Sequence, residues 1–213
     1  MARVWLRDIA SSGDRAAVMG LRRSPGQDRY LNSMAEIFAE ADGEQRAMPH
    51  PWAVHDAQTG ALVGFVMISD NIPPPMDDDL VGPYYLWKLL IDHRFQRRGY
   101  GAATLDAVVD YLATRPGADV LYTSCADGPG SPRGFYLRYG FTDTGRIMWG
   151  ENVLALDLAP RITAAASKLA ARARGWIAMS VSAGSSRPCP SRRQRSRACR
   201  RAGRAGCWPA VVR

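Results

Sequence analysis

Hydrophobic and polar positions over roughly the first 158 residues predict an α/β fold. Strands are expected where short apolar runs lie between turn residues, and helices where apolar residues recur every three or four positions. The run at 84–91 is almost wholly apolar or aromatic, which is typical of a central strand covered on both faces. The predicted strands cover residues 4–7, 52–55, 62–68, 84–91, 120–124 and 153–158, and the predicted helices start at about residue 14, at residue 28 (ending at 42), after residue 101 and at residue 131.

The composition changes sharply at Pro160. All 20 acidic residues lie at or before Asp157, whereas twelve arginines and one lysine follow Pro160. The segment 184–213 has no apolar periodicity, so it cannot bury enough surface to offset the entropy of ordering. We therefore expect a folded domain over residues 1–159 and a disordered, arginine-rich tail over 160–213.

Two interpretations of the tail remain open. Its arginines would neutralise phosphates if the tail bound nucleic acid. Its bias towards Arg, Ala, Gly, Pro and Ser also looks like a GC-rich coding sequence read out of frame. We favour the second hypothesis, a frameshift-like or poorly constrained extension, because the tail has a single lysine.

No apolar run in the sequence is long enough to cross a bilayer. The longest, at residues 61–68 and 176–183, fall far short of the roughly 18–20 residues that a membrane helix needs. Residues 1–8 include charges and lack the apolar region of a secretory signal. The four cysteines match no metal or redox spacing. We expect a cytoplasmic protein that uses no membrane anchor and no metal ion.

The junction between the strand at 84–91 and the next helix carries the strongest chemical signal. It reads DHRFQRRGYGA over residues 92–102. The first N–H groups of a helix lack partners and the helix dipole is positive there, so this end favours a phosphate group. The two glycines let the backbone approach a pyrophosphate closely, and Arg94, Arg97 and Arg98 add positive charge. The pattern matches neither a P-loop nor a dinucleotide fingerprint.

Two motifs carry a resemblance to a known family. QRRGYG over 96–101 resembles the acetyl-CoA pyrophosphate-binding signature of the GNAT superfamily of N-acetyltransferases, and PRGFYLRYGF over 132–141 is similar to its second signature. The order of strands and helices also agrees, so the resemblance covers roughly residues 2–158. More narrowly, LWKLLID over 86–92 and Gly150-Glu151 are similar to bacterial spermine/spermidine or diamine acetyltransferases.

The resemblance implies a mixed, splayed central sheet flanked by helices, opening between the strands at 84–91 and 119–124 to hold acetyl-CoA. One strand N–H would hold the thioester oxygen as negative charge develops on it. Tyr136 falls where the family places the general acid that protonates the departing thiolate. Homodimers are common in this family. The implied cofactor-binding residues are Leu89, Leu90, Ile91, Gln96, Arg97, Arg98, Gly99, Tyr100, Gly101 and Ala102.

The acceptor amine must lose a proton before it can attack. An alkyl ammonium group has a pKa of about 10.4 by analogy with lysine, so it is mostly charged at neutral pH. The sequence does not identify the base. Glu36, Glu40 and Glu151 are candidates by charge only, while Asp92 and His93 lie on the phosphate side of the junction, which argues against both.

The acidic domain is consistent with a small cationic acceptor, and a polyamine is our first choice. Asp77-Asp78-Asp79 would attract such a molecule at the rim of a cleft, although a solvated loop is the commoner explanation of an acidic run. Aromatic side chains would form walls for ammonium groups. The candidate substrate-binding residues are Glu36, Glu40, Tyr84, Trp87 and Glu151.

Two alternatives remain. The acceptor could be another amine, such as an aminoglycoside, an amino acid, a protein N-terminus or a lysine. In a different class, the chain could be a non-catalytic acyl-CoA-binding or RNA-binding protein that retained the fold. Tyr136 and the intact phosphate loop argue against the second alternative.

Overall fold

A computed structural model describes residues 2–163, which contain an open seven-stranded sheet with helices packed against it. The strand order is β1-β2-β3-β4-β5-β7-β6, and every neighbouring pair is antiparallel except β4 and β5, which are parallel. The predicted mixed α/β sheet is therefore confirmed. The elements are β1 (Val4–Asp8), α1 (Ser12–Val18), α2 (Met34–Gly43), β2 (Pro49–Asp56), β3 (Leu62–Asp70), β4 (Tyr84–Ile91), α3 (Tyr100–Leu112), β5 (Val120–Cys125), α4 (Arg133–Tyr139), β6 (Thr142–Met148) and β7 (Glu151–Asp157).

One strand, β6, is absent from the sequence prediction. It lies at the edge of the sheet and pairs only with β7. Most of its side chains are exposed, and its register shifts around Gly145, which has a φ of 72°. A strand of this kind buries too few side chains to show an alternation of apolar and polar residues in the sequence. Its pairing with β7 is what identifies it as a strand.

Helix α2 begins six residues later than the sequence predicts. Ser33 caps it, because its hydroxyl accepts from the backbone N–H of Glu36 while the Glu36 carboxylate accepts from Ser33. This reciprocal pair is a capping box, which fixes the start of the helix. Residues Gln27–Arg29 form a separate turn of 3-10 helix instead.

Strands β4 and β5 separate almost as soon as they meet. Their register contains one pair, Tyr85 with Tyr122. Thr123 Oγ1 then donates to the backbone oxygen of Leu86 at 3.1 Å, so a side chain bridges the two strands where the next backbone pairing would be expected. The sheet is therefore splayed between β4 and β5, as the family resemblance implies.

A bulge in β4 changes which face its side chains occupy. Met67 of β3 pairs with Lys88 and Ile68 pairs with Leu86, so Trp87 has no partner of its own. Leu86 packs in the core beneath α3, whereas Leu90, four residues later, packs in the cluster that includes α2. An extra residue in one strand reverses the alternation in this way, and bulges are common beside active sites.

The described chain continues past the predicted domain boundary at Pro160. Residues 159–163 form a helical turn, in which Arg161 hydrogen bonds to the backbone oxygen of Tyr139 and Ile162 packs against the core. The predicted tail lies outside the described residues beyond 163, and its character stays a prediction.

Candidate active site

A cavity of about 1080 Å³ lies where β4 and β5 separate. Its volume is slightly above the range of roughly 300–1,000 Å³ that is typical of ligand sites. One end is formed by the β4–α3 junction and the start of α4. The other end contains aromatic and acidic side chains from β4, β7 and the loops around them, together with small side chains from β5. The two ends differ in their electrostatic character.

The first end is a cradle of backbone N–H groups. The first hydrogen bond of α3 runs from Ala103 N to Gly99 O, so the amides of Tyr100, Gly101 and Ala102 precede the helical ladder. Arg97 and Gly99 both have left-handed φ angles, 62° and 87°. Such backbone nests bind anions. A left-handed φ is uncommon for a residue with a side chain, and it is often found at functional sites.

The cradle has little room for side chains. A Cβ atom at Gly101 would lie 3.2 Å from the ring of Phe135 on α4. The glycine therefore keeps the backbone open between two elements that both line the cavity. This cradle has room for a phosphate group against the backbone.

An ion pair between the buried Asp92 and the exposed Arg94 fixes the loop behind the cradle. Asp92 is fully buried and accepts hydrogen bonds from Arg94 Nε at 2.8 Å, from Arg94 N and from the backbone N–H of Arg22. These bonds, led by the Arg94 side chain, lower the pKa of the Asp92 carboxyl to about 2. Arg94 does not line the cavity, so its charge balances Asp92 rather than adding to the phosphate end as the sequence suggests.

The remaining junction residues divide between the cavity and the surface. Gln96 lines the cavity and donates to Ile91 O at 2.9 Å, which ties the loop to the end of β4. Tyr100 lines it too, and its hydroxyl donates to Asp56 at 2.8 Å. Arg97 and Ala102 are lining residues, whereas Arg98 is exposed and lies outside the lining.

Tyr136 lies in the middle of the cavity wall. It belongs to α4, is 7% exposed and packs between Phe135 and Phe141. Burial raises the pKa of its phenol well above the ordinary value of 10. Leu89 and Ile91 line the cavity from β4. The side chain of Leu90 points into the core, so only the main chain of Leu90 is a candidate for binding a ligand.

Cys125 shares this central region without being reactive. It is buried in the core cluster, and burial raises the pKa of its thiol to about 11. A thiol in that state is rarely ionised near neutral pH, so it acts as a small apolar side chain.

The second end of the cavity contains Tyr85, Trp87 and Lys88 from β4, Glu151 from β7 and Trp149 from the turn before it. Trp149 packs edge-on against Tyr85, with ring centroids 6.1 Å apart. Lys88 Nζ lies 2.8 Å from Glu40 Oε2, so its charge is balanced from outside the cavity.

Three of the sequence-predicted acceptor residues do not line the cavity. Tyr84 is fully buried in the core and donates to the backbone oxygen of Pro116, because it lies before the bulge on the core face of β4. Glu36 is committed to capping α2. Glu40 is committed to Lys88, so it acts on the cavity only through that lysine. Trp87 and Glu151 are the two that do line it.

Part of the acidic loop reaches the rim. Asp79 and Glu44 line the cavity, and Arg46 forms ion pairs with both and with Asp77. Arg46 thereby links the loop before β4 to the segment after α2. No local sequence pattern reveals this link, because Asp77 and Asp79 are more than 30 residues from Arg46 along the chain.

Neither a metal centre nor a membrane span is found in the described residues. Within residues 2–163 no three His, Cys, Asp or Glu side chains are grouped so that they could hold a metal ion. No helix in that range has the length and apolar character needed to cross a membrane.

Comparison with known proteins defines the class of this protein. Residues 16–141 match the profile of the Acetyltransferase (GNAT) family. That match spans more than half of the chain and includes the cradle and Tyr136, so the protein belongs to the GNAT family and is an acetyl-CoA-dependent N-acetyltransferase.

Its curated relatives include polyamine enzymes. It is 29% identical over 146 residues to the spermine/spermidine N(1)-acetyltransferase of Bacillus subtilis, which covers 68% of this chain and 93% of that protein. Among solved structures it is similar to a domain from Methanocaldococcus jannaschii (TM-score 0.54, 14% identity, 74% of this chain and 99% of that one). It is also similar to spermidine N-acetyltransferase from Vibrio cholerae in complex with CoA and spermine (TM-score 0.50, 17% identity, 74% and 96%).

Proposed function

We propose that this enzyme transfers the acetyl group of acetyl-CoA to a primary amine of a small cationic acceptor, with a polyamine as the first choice. The observation that carries the proposal is the polarity of the cavity. An anion-binding backbone cradle forms one end, and carboxylates with aromatic rings form the other. Acetyl-CoA supplies the activated acetyl group, and the chain supplies the two binding ends and the proton transfers between them.

At the cradle end, residues of this chain hold the phosphates. The amides of residues 97–102 donate to phosphate oxygens, and Gln96 fixes their position through its bond to Ile91 O. The main chain of Leu89, Leu90 and Ile91, just beyond the bulge, pairs with the pantetheine arm. The cavity-facing edge of β4 supports this role, because β5 pairs with β4 at Tyr85 and not along these three residues.

At the centre, Tyr136 acts as the general acid. Its raised pKa keeps the phenol protonated throughout the neutral range, so it has a proton to give to the sulfur that leaves. Its packing between two phenylalanine rings restricts the side chain. Both properties suit a group that must hold one proton at one position.

At the acceptor end, the charge balance supports a cationic substrate. The carboxylate of Glu151 lines the cavity, while the positive charge of Lys88 is balanced by Glu40. Tyr85 and Trp87 present aromatic surface, which attracts ammonium groups. The similarity to the spermine/spermidine enzyme of Bacillus subtilis supports a polyamine among the cationic acceptors.

The proposal is tested by thiol release from acetyl-CoA, measured with the purified full chain. The acceptors are spermidine, spermine, putrescine, lysine and an aminoglycoside. We expect release with the polyamines at the highest kcat/KM. Release with another amine alone would contradict the polyamine assignment, and acetyl-CoA binding without release to any amine would contradict the transfer reaction itself.

A further inference from the structure

Three side chains from three strands form a hydrogen-bonded chain in the acceptor end of the cavity. The hydroxyl of Tyr85 on β4 lies 2.6 Å from Ser124 Oγ on β5, and Ser124 donates to Glu151 Oε2 at the start of β7. All three residues line the cavity. The chain therefore lies at the β4–β5 split, on the side opposite the phosphate cradle.

Glu151 differs from the other acidic residues that line the cavity. Glu44 and Asp79 both pair with Arg46. Within residues 2–163 Glu151 has no cationic partner, and its Oε1 atom makes no hydrogen bond to the protein. One carboxylate oxygen is thus held by Ser124 while the other is available to a ligand.

We propose that Glu151, positioned by Ser124 and Tyr85, accepts the proton that the acceptor ammonium group must lose before it attacks. This inference rests on the proposed acetyl transfer. The N–H bond of the ammonium breaks, Glu151 Oε1 takes the proton, and the nitrogen keeps the electron pair. Glu151 later releases this proton to water.

The remaining protons balance around Tyr136. The nitrogen forms a C–N bond to the acetyl carbon as the C–S bond breaks, and the sulfur takes the phenolic proton of Tyr136. The nitrogen then sheds a second proton, which restores the phenol. The net result is one amide, one thiol and one proton released to water.

The ionisable groups around Glu151 are neutral or paired, which suits a base whose role depends on its position next to the substrate. The ionisable neighbours are the phenol of Tyr85 on β4, the thiol of Cys125 on β5 and the phenol of Tyr136 on α4, and each of them is neutral at pH 7, with a pKa raised mainly by burial. Arg133, also on α4, pairs with Asp143 at 2.6 Å. The ammonium group of the substrate is therefore the cation that this end of the cavity can accept.

The test compares steady-state kinetics of the full chain and three variants from pH 7 to pH 10, with whichever amine the wild type acetylates best. Glu151→Gln removes the base, Ser124→Ala removes its support, and Asp110→Asn removes an exposed carboxylate on α3 as a charge-matched control. Acetyl-CoA affinity, measured by titration, reports whether each variant is folded.

We expect Glu151→Gln to lower kcat at pH 7 by about 100-fold or more, the range of general acid–base catalysis. The deficit should shrink towards pH 10, because an increasing fraction of the amine is already neutral. Ser124→Ala should lower kcat by a smaller factor, and this kcat deficit should also shrink towards pH 10. Asp110→Asn should match the wild type.

Several results would overturn the inference. A higher KM for the amine with unchanged kcat in Glu151→Gln would assign this carboxylate to binding alone. A kcat deficit that is constant from pH 7 to pH 10 would exclude proton removal from the ammonium group. If the wild type acetylates no amine, the proposed function fails and the inference fails with it, whereas activity of the wild type and of Glu151→Gln at equal kcat refutes the inference alone.

Discussion

Replacing Tyr136 by phenylalanine removes one oxygen atom from the centre of the cavity and leaves the ring in place. The ring centroids of Phe135 and Phe141 both lie 5.3 Å from that of Tyr136, and the residue is 7% exposed. The apolar packing is retained in the variant. We therefore expect the free energy of unfolding to change by no more than about 1 kcal/mol, the net contribution of a typical hydrogen bond.

The effect on turnover should be much larger than the effect on stability. General acid catalysis contributes about 10²–10⁴-fold, so kcat should fall by about 100-fold or more. A 100-fold loss corresponds to about 2.7 kcal/mol of transition-state stabilisation. Burial raises the pKa of Tyr136 well above 10, so in the wild type the acid stays protonated and kcat should not decline on its account below about pH 10.

The assay is thiol release from acetyl-CoA with a saturating amine, together with titration of acetyl-CoA binding. Tyr139→Phe is the matched control, because Tyr139 lies on the same helix and its hydroxyl bonds to Asp106 outside the cavity. It should keep wild-type turnover. If Tyr136→Phe keeps kcat within about twofold of wild type, or if the two variants lose activity equally, Tyr136 is not the general acid.

Three further predictions concern the cradle, the loop behind it and the tail. Gly101→Leu should weaken acetyl-CoA binding by at least tenfold in calorimetry, because its Cβ alone would lie 3.2 Å from Phe135, and unchanged affinity would exclude the cradle. Asp92→Asn should lower the free energy of unfolding at pH 7. Since the folded pKa of Asp92 is depressed to about 2, the deficit in denaturant titrations should vanish as pH falls from about 4 to about 2, and a deficit that persists there would have another cause. Truncation after residue 163, which keeps the packed Ile162, should leave kcat/KM for the amine unchanged, and a loss would assign the tail a role.

The local elements of this fold could be predicted from the sequence where burial is one-sided or complete. The run at 84–91 predicted β4 with its correct bounds, because a central strand buries nearly every residue. Strand β6 at Thr142–Met148 could not be predicted in this way, since an exposed edge strand leaves no periodic signal. The start of α2 at Met34 depends on the capping pair of Ser33 and Glu36. Packing decides whether the helix starts at that pair or extends further towards the N-terminus.

The residues of the candidate site also divide into those that local sequence patterns predict and those that they do not. Two glycines before a helix start predict the backbone cradle at residues 97–102, and the family resemblance points to Tyr136. Which acidic residues reach the cavity depends on the tertiary structure. Glu36 and Glu40 are engaged by Ser33 and Lys88. Glu151 instead accepts from Ser124, which in turn hydrogen bonds to Tyr85 on another strand. Side chains distant in sequence are brought together only by strand register and the bulge in β4, and no local pattern encodes that meeting.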